Sequence, residues 1–278
     1  MSENGDTRQL LLVRWIIYLL VALAVIIPYL VNLPLPFEPL EESRKAYDKL
    51  DALPSGSHVL ISMDFDPSAE AELRPMAAAV MTHCFQKGLI PVVMTHWNTG
   101  LTLVDGICKG AARKAAKVSG KDWVLLGFRP GFTNLMVNIG ENLKGAFAQD
   151  YYGKSTQGMA ALAGVASLKD IDLIVNIAAG STVEAWIAYA ADRHKIPFVA
   201  GTTAVMAPDT YPWLNSGQMA GLLGGLRGAA DYELLVKQPH DATRGMQVQS
   251  VTHVLIIVLI VAANIRFLAG RRPARREA

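Results

Sequence analysis

The chain is poor in cysteine and in charge: of its 278 residues only 2 are Cys, and 18% are Asp, Glu, Lys or Arg. Two cysteines cannot build a disulfide framework, and no pair has metal-type spacing. The 23 glycines follow no triplet period, which excludes a collagen-like chain. No G-K-S/T follows a glycine-rich loop and no G-x-G-x-x-G follows an apolar run, so neither a P-loop nor a dinucleotide fingerprint is present. Soluble domains average about 25% charged residues. The shortfall, a hydrophobic share of 51% and a positive mean hydropathy exclude disorder and point to segments that leave water.

Two stretches account for this. Residues 15–32 (WIIYLLVALAVIIPYLVN) carry no charge, and the apolar residues 10–13 extend them. A bilayer core needs about 20 helical residues, so residues 10–32 are expected to span it. Arg14 would snorkel at one interface and Tyr29 would sit at the other. The run is longer than a signal-peptide core and lacks a small-residue cleavage site, which favours an uncleaved signal anchor. The second stretch, residues 251–270, has a shorter apolar heart at 254–263 and is followed by Arg271, Arg272, Arg275 and Arg276. Basic residues gather on the cytoplasmic flank. Both termini are therefore expected in the cytoplasm and the central domain outside it. The organisation this implies is a short N-terminus (1–9), a span (10–32), a Pro-containing linker (33–57), a domain (58–240), a second linker (241–250), a second span (251–270) and a basic tail (271–278). The lipid bilayer is the first expected partner.

Between the spans, residues 33–250 hold 19 basic and 21 acidic side chains, a net charge of −2. That removes the electrostatic footprint of a nucleic-acid binder. Five short, nearly continuous apolar runs bounded by Gly, Pro, Asp or Asn read as strands buried on both faces: 58–63, 89–94, 123–128, 173–177 and 196–200. Helical periodicity separates them at 69–87, 102–119 and 182–195, and residues 133–167 read as a less regular insertion. Alternating strands and helices predict an α/β fold, a mainly parallel, Rossmann-like three-layer sandwich flanked by two membrane helices. Cys84 and Cys108 would pair only in an oxidising compartment and with close Cα atoms.

In open parallel sheets ligands collect beyond the carboxyl ends of the strands. That rule selects Asp64 and Asp66 after the first strand, and Thr95, His96 and Asn98 after the second. It adds Arg129 after the third, Ser181 and Thr182 after the fourth, and Thr202 and Thr203 after the fifth. Asp64 and Asp66 would offer hard oxygens to a divalent cation, or one of them a nucleophile, with His96 as base. The remainder would bind a small polar or anionic ligand. Equally, Asp66 would cap the next helix and Ser181 the one after strand four.

The D-x-D at a strand end, with Thr95 closing the next strand, resembles the opening motifs of haloacid-dehalogenase-like phosphohydrolases. The likeness covers residues 58–96. It implies phosphoryl chemistry on a divalent cation, but the fourth strand ends in Asn176-Ile177-Ala178-Ala179-Gly180, where that family has a carboxylate.

Residues 216–233 (SGQMAGLLGGLRGAADYE) place Gly217, Gly221, Gly224, Gly225 and Gly228 in overlapping G-x-x-x-G spacings. On a helix these would form a smooth stripe for close packing against another protomer or the membrane helices. Two readings follow: a membrane-anchored binding or assembly domain that oligomerises through this segment, and a membrane-bound hydrolase, with or without a divalent cation, using the Asp pair on a phosphate or ester.

Overall fold

The computed structural model describes residues 3–31 and 38–270. Pro34 and Pro36 of the expected linker and the basic tail fall outside them. The chain divides into two units, one holding both terminal helices and the other running from Phe37 to Thr243.

The first unit contains α1 (Glu3–Leu30) and most of α11 (Asp241–Gly270). Within them, Leu11–Leu30 and Asp241–Ala269 are long and apolar enough to cross a membrane. Pro28 lies inside α1. The expected second linker is helical and opens α11.

In chain order the second unit runs α2 (Glu41–Asp51), β1 (His58–Asp64), α3 (Glu70–Lys87), β2 (Ile90–Thr95), α4 (Leu101–Lys114) and β3 (Val124–Phe128). It continues through α5 (Phe132–Glu141), α6 (Leu143–Ala146), β4 (Leu173–Ala178), α7 (Thr182–Trp186), a π-helical turn at Ile187–Ala191 and α8 (Asp192–His194). It ends with β5 (Phe198–Thr202), α9 (Ala207–Asn215), β6 (Gly221–Gly224) and α10 (Gly225–Leu235). The six strands form one parallel sheet in the order β3-β2-β1-β4-β5-β6. The order reverses between β1 and β4.

All five expected strands are present, because each is short, apolar on both faces and closed by a turn residue. Alternation splits their side chains between two helical layers. Leu60, Val92, Val124, Ile174, Phe198 and Leu222 share one core with Met136 and Ile139 of α5 and with Trp186. On the other face, Gly201 of β5 has no room for a Cβ beside Met76 of α3 and Ile177 of β4. Helix α3 forms where expected: Leu73, Met76, Ala77, Val80, Met81 and Cys84 fall on its buried side. Gly88 ends it at φ 69°, with Leu89 N donating to Cys84 O at 2.8 Å. Cys84 and Cys108 are free, buried thiols, and burial pushes both well above the usual thiol range.

Two expectations need correction. Residues 41–51, within the expected linker, form α2, whose Ser43, Ala46 and Leu50 are buried at helical spacing. The glycine-rich segment was expected as one helix with a packing stripe. It is instead a turn at Gly217 (φ 79°), a strand over Gly221–Gly224 and a separate helix from Gly225. Four of its five glycines answer neighbours within the domain. Gly221 lies against the backbone of Ala46, and a Cβ on Gly228 would come 2.6 Å from the Leu223 carbonyl carbon. Gly225 adopts φ 58° beside Ala204, and Gly224 packs on Ala207.

Helices α2, α3 and α10 are joined by a buried polar cluster. His83 is 1% exposed; its Nδ1 lies 2.8 Å from Tyr232 Oη and its Nε2 3.2 Å from Asp51 Oδ1, with the ring stacked on Tyr47. With the Tyr232 hydroxyl donating, Nε2–H faces the carboxylate and both nitrogens are satisfied. Tyr232→Phe leaves Nδ1 buried without a donor. It is expected to cost about 1–2 kcal/mol in urea denaturation of the full chain followed by circular dichroism.

Candidate functional site

At the strand-order reversal, Asp64 ends β1 with 0% exposure. Its Oδ1 accepts from Ser62 Oγ (2.9 Å) and from His96 N (2.7 Å). Its Oδ2 accepts from Ser62 Oγ (2.8 Å), Asn176 Nδ2 (2.7 Å) and Trp186 Nε1 (3.4 Å). One carboxylate thus joins β1, the end of β2, β4 and α7. Asn176 is held in turn, since Thr182 Oγ1 donates to its Oδ1 at 3.0 Å. The Asp64 carbonyl accepts from Ala179 N, which fixes where the chain leaves β4.

Asp66 does not join this group. The strand has ended, and the carboxylate turns back to accept from Ser68 N and Ser68 Oγ, capping a short 3-10 turn at Pro67–Ala69. Those hydrogen bonds hold it below the usual carboxylate range. The two aspartates therefore do different work, one as a buried clamp and one as an exposed cap. Among the described residues no group of three or more His, Cys, Asp or Glu is placed to hold a metal ion.

His96 follows β2 and is tied to Asp64 through its backbone N–H. Its ring meets Phe132 edge-on at 5.1 Å between centroids and lies 5.6 Å from Trp186. Both ring nitrogens are buried and have no hydrogen-bond partner. Burial pushes its pKa below the ordinary 6.5, and the neighbouring Asp64 charge only partly opposes this. The imidazole is therefore neutral at pH 7. Phe132 itself stands at φ 26°, a backbone region that costs a bulky residue energy, directly after Gly131 at φ 112°.

The other expected residues are spread along the same edge. Thr95 is buried, and its Oγ1 accepts from Trp97 N at 3.0 Å. Thr202 is buried with an unpartnered Oγ1. Asn98 and Ser181 are exposed, and Ser181 makes no side-chain cap to α7. Arg129 is exposed and lies 5.9 Å from the Phe147 ring. The carbonyl of Thr203 accepts from Met206 and Ala207 in the turn before α9. The structure brings together Asp64, His96 and Thr182, and adds four residues that sequence reasoning passed over: Ser62, Asn176, Trp186 and Phe132. Ser62 and Asn176 did leave a signal, as polar residues inside otherwise apolar strands.

This arrangement limits the chemistry. A carboxylate with four donors around it has little lone-pair capacity left for a cation or an attack. A pyrophosphate has no cradle in the first strand–helix turn, where Asp64-Phe65-Asp66-Pro67 replaces glycines. What is unpartnered is a neutral imidazole with one donor and one acceptor, set among aromatic rings, and on the same edge the Thr202 hydroxyl. No protein-family model and no curated protein sequence matches the chain.

Proposed function

We propose that the chain is a membrane-tethered α/β domain that binds a small polar ligand at His96, beside the carboxyl ends of β1 and β4 where the strand order reverses. The observation that carries this reading is the pair of buried, unpartnered nitrogens on the His96 ring. A buried polar atom without a partner costs about 1–3 kcal/mol, and His96 carries two where each other such residue among those described carries one. A strained Phe132 against the same ring adds to the case, because strain collects at functional sites. The strand-order reversal is the position where open α/β sheets take ligands. A metal-dependent hydrolase built on Asp64 and Asp66 would need both carboxylates free on one ion. Assembly through the glycine-rich segment would need glycines that the domain does not already fill.

The test is His96→Phe, which keeps a planar ring and removes both orphan nitrogens. It is expected to raise the melting temperature of the full chain, by an amount equivalent to about 1–2 kcal/mol. It should also abolish any shift produced by a panel of amides, amino acids, sugars and nucleosides. A fall in melting temperature would show that the imidazole serves the fold alone. The pH dependence has a definite sign. With its folded value depressed, His96 adds no proton-linked penalty above 6.5, and the fold loses stability as pH falls below that because the unfolded chain takes up the proton first. The Phe variant should remove this share of the acid sensitivity, leaving that of His83 and His58, which burial also depresses.

The two apolar helices support tethering, and the arginine-rich tail supports cytoplasmic termini with the first helix as an uncleaved anchor. The ligand would then be met outside the cytoplasm. Protease added to intact spheroplasts should digest the central domain; protection would reverse the orientation.

A further inference from the structure

A cavity away from His96 lies between α3 and α4 and is closed by the connection from α10 to α11. Its volume is about 440 Å³, within the range of small-molecule sites. One wall is Gly106, Gly110 and Ala111 of α4, and the opposite wall is Pro75, Ala78 and Ala79 of α3.

The two α4 glycines have no internal explanation. Neither has a positive φ, and a Cβ built on either meets nothing within 4 Å. In a helix interior each costs about 1 kcal/mol against alanine. They keep the cavity wide at the expense of the helix. Along α4, Gly106 to Lys114 spans roughly 12 Å at the helical rise, the length of a short acyl chain.

The polar part of the lining is unequal in its free capacity. Glu233 is 3% exposed, and its carboxylate is occupied by His240 N, Ala242 N, Thr243 N and Thr243 Oγ1, which open α11. Asp241 pairs with His240 at 2.9 Å. Arg74 pairs with Glu70 through one nitrogen. Lys114, also in the lining, has no ion-pair partner among the described residues. Glu233 is taken up by four donors and the Asp241 side chain is 67% exposed to solvent, while Lys114 has no ion-pair partner among the described residues, so the cavity favours a negative ligand with an apolar body.

We propose that this cavity binds an anionic amphiphile, with its acyl chain along the Gly106–Gly110 wall and its carboxylate or phosphate at Lys114. A bilayer lipid and a soluble fatty acid share that chemistry.

The experiment uses the full chain in phosphatidylcholine nanodiscs, irradiated with a diazirine-bearing decanoic acid and mapped by peptide mass spectrometry. Adducts are expected within residues 74–82 and 106–114, suppressed by excess decanoate and not by decanol or inorganic phosphate. Gly110→Leu fills the wall and should lower adduct yield at least tenfold. Lys114→Gln, at an exposed position, should lower it several-fold with an unchanged melting temperature. Suppression by phosphatidylglycerol in the nanodisc identifies a bilayer lipid as the source, and no suppression identifies a soluble acyl anion; both support the site. Adducts elsewhere, equal suppression by decanol, suppression by phosphate alone, or yields unchanged in both variants would overturn it.

Discussion

Replacing Asp64 with alanine is expected to unfold the central domain and not merely to silence a site. The carboxylate is fully buried and receives four donors from Ser62, His96, Asn176 and Trp186. Hydrogen bonds to a charged group contribute about 1.5–3 kcal/mol each, and the donors left behind would be buried without an acceptor. The terms overlap, so the sum overstates the effect, but a loss of about 4 kcal/mol or more is expected, at the severe end for one substitution. That is a large part of an ordinary domain's 5–15 kcal/mol. Asp64→Asn should be milder, at about 2–3 kcal/mol, because one oxygen still accepts while the amide faces two donors. Urea denaturation of the full chain, followed by circular dichroism, measures both. If Asp64→Asn melted like the wild type while a ligand-dependent property vanished, the carboxylate would act on a ligand and the clamp reading would fail.

How far the sequence discloses this fold depends on where the information lies. β1, β2, β3, β4 and β5 are readable because a strand buried on both faces must be apolar throughout, and each run is closed by Gly, Pro, Asp or Asn. Helix α3 is readable because its core face repeats at helical spacing and Gly88 stops it. β6 is not readable: Gly-Leu-Leu-Gly supplies two side chains and no period, and its strand state comes from pairing with β5. Helix α2 is hidden for the opposite reason. Its sequence EESRKAYDKLD is mostly charged, and only Ser43, Ala46 and Leu50 face inward. The glycine spacing suggested a helical stripe because sequence shows small residues but not what presses on them.

The site was half legible for the same reason. The topological rule placed Asp64 and His96 on the ligand edge. It could not tell that Asp66, only two positions on, lies beyond the strand and turns away. Nor could it find Asn176, which reaches Asp64 across 112 positions of sequence. The Asp pair looked like one chemical unit in sequence, and the backbone separates it into a clamp and a cap.

Glycine substitutions give the sharpest contrast that the structure predicts. Gly221→Ala is expected to be strongly destabilising, by about 3 kcal/mol or more, since overpacking against backbone leaves no flexible neighbour to yield. The added methyl would collide with the N and Cα of Ala46, so relief requires α2 to lift off β6. Gly110→Ala should do the reverse. Its Cβ enters open space, and the helix regains up to about 1 kcal/mol of propensity. Thermal melts of the two single variants separate them directly, because both change one hydrogen into one methyl. In Gly221→Ala, limited proteolysis should cut first within residues 38–57, the segment holding α2, which packing on β6 no longer protects. A Gly221 variant as stable as wild type would mean that α2 does not pack on β6. The glycine-rich segment would then be available for contacts with another chain.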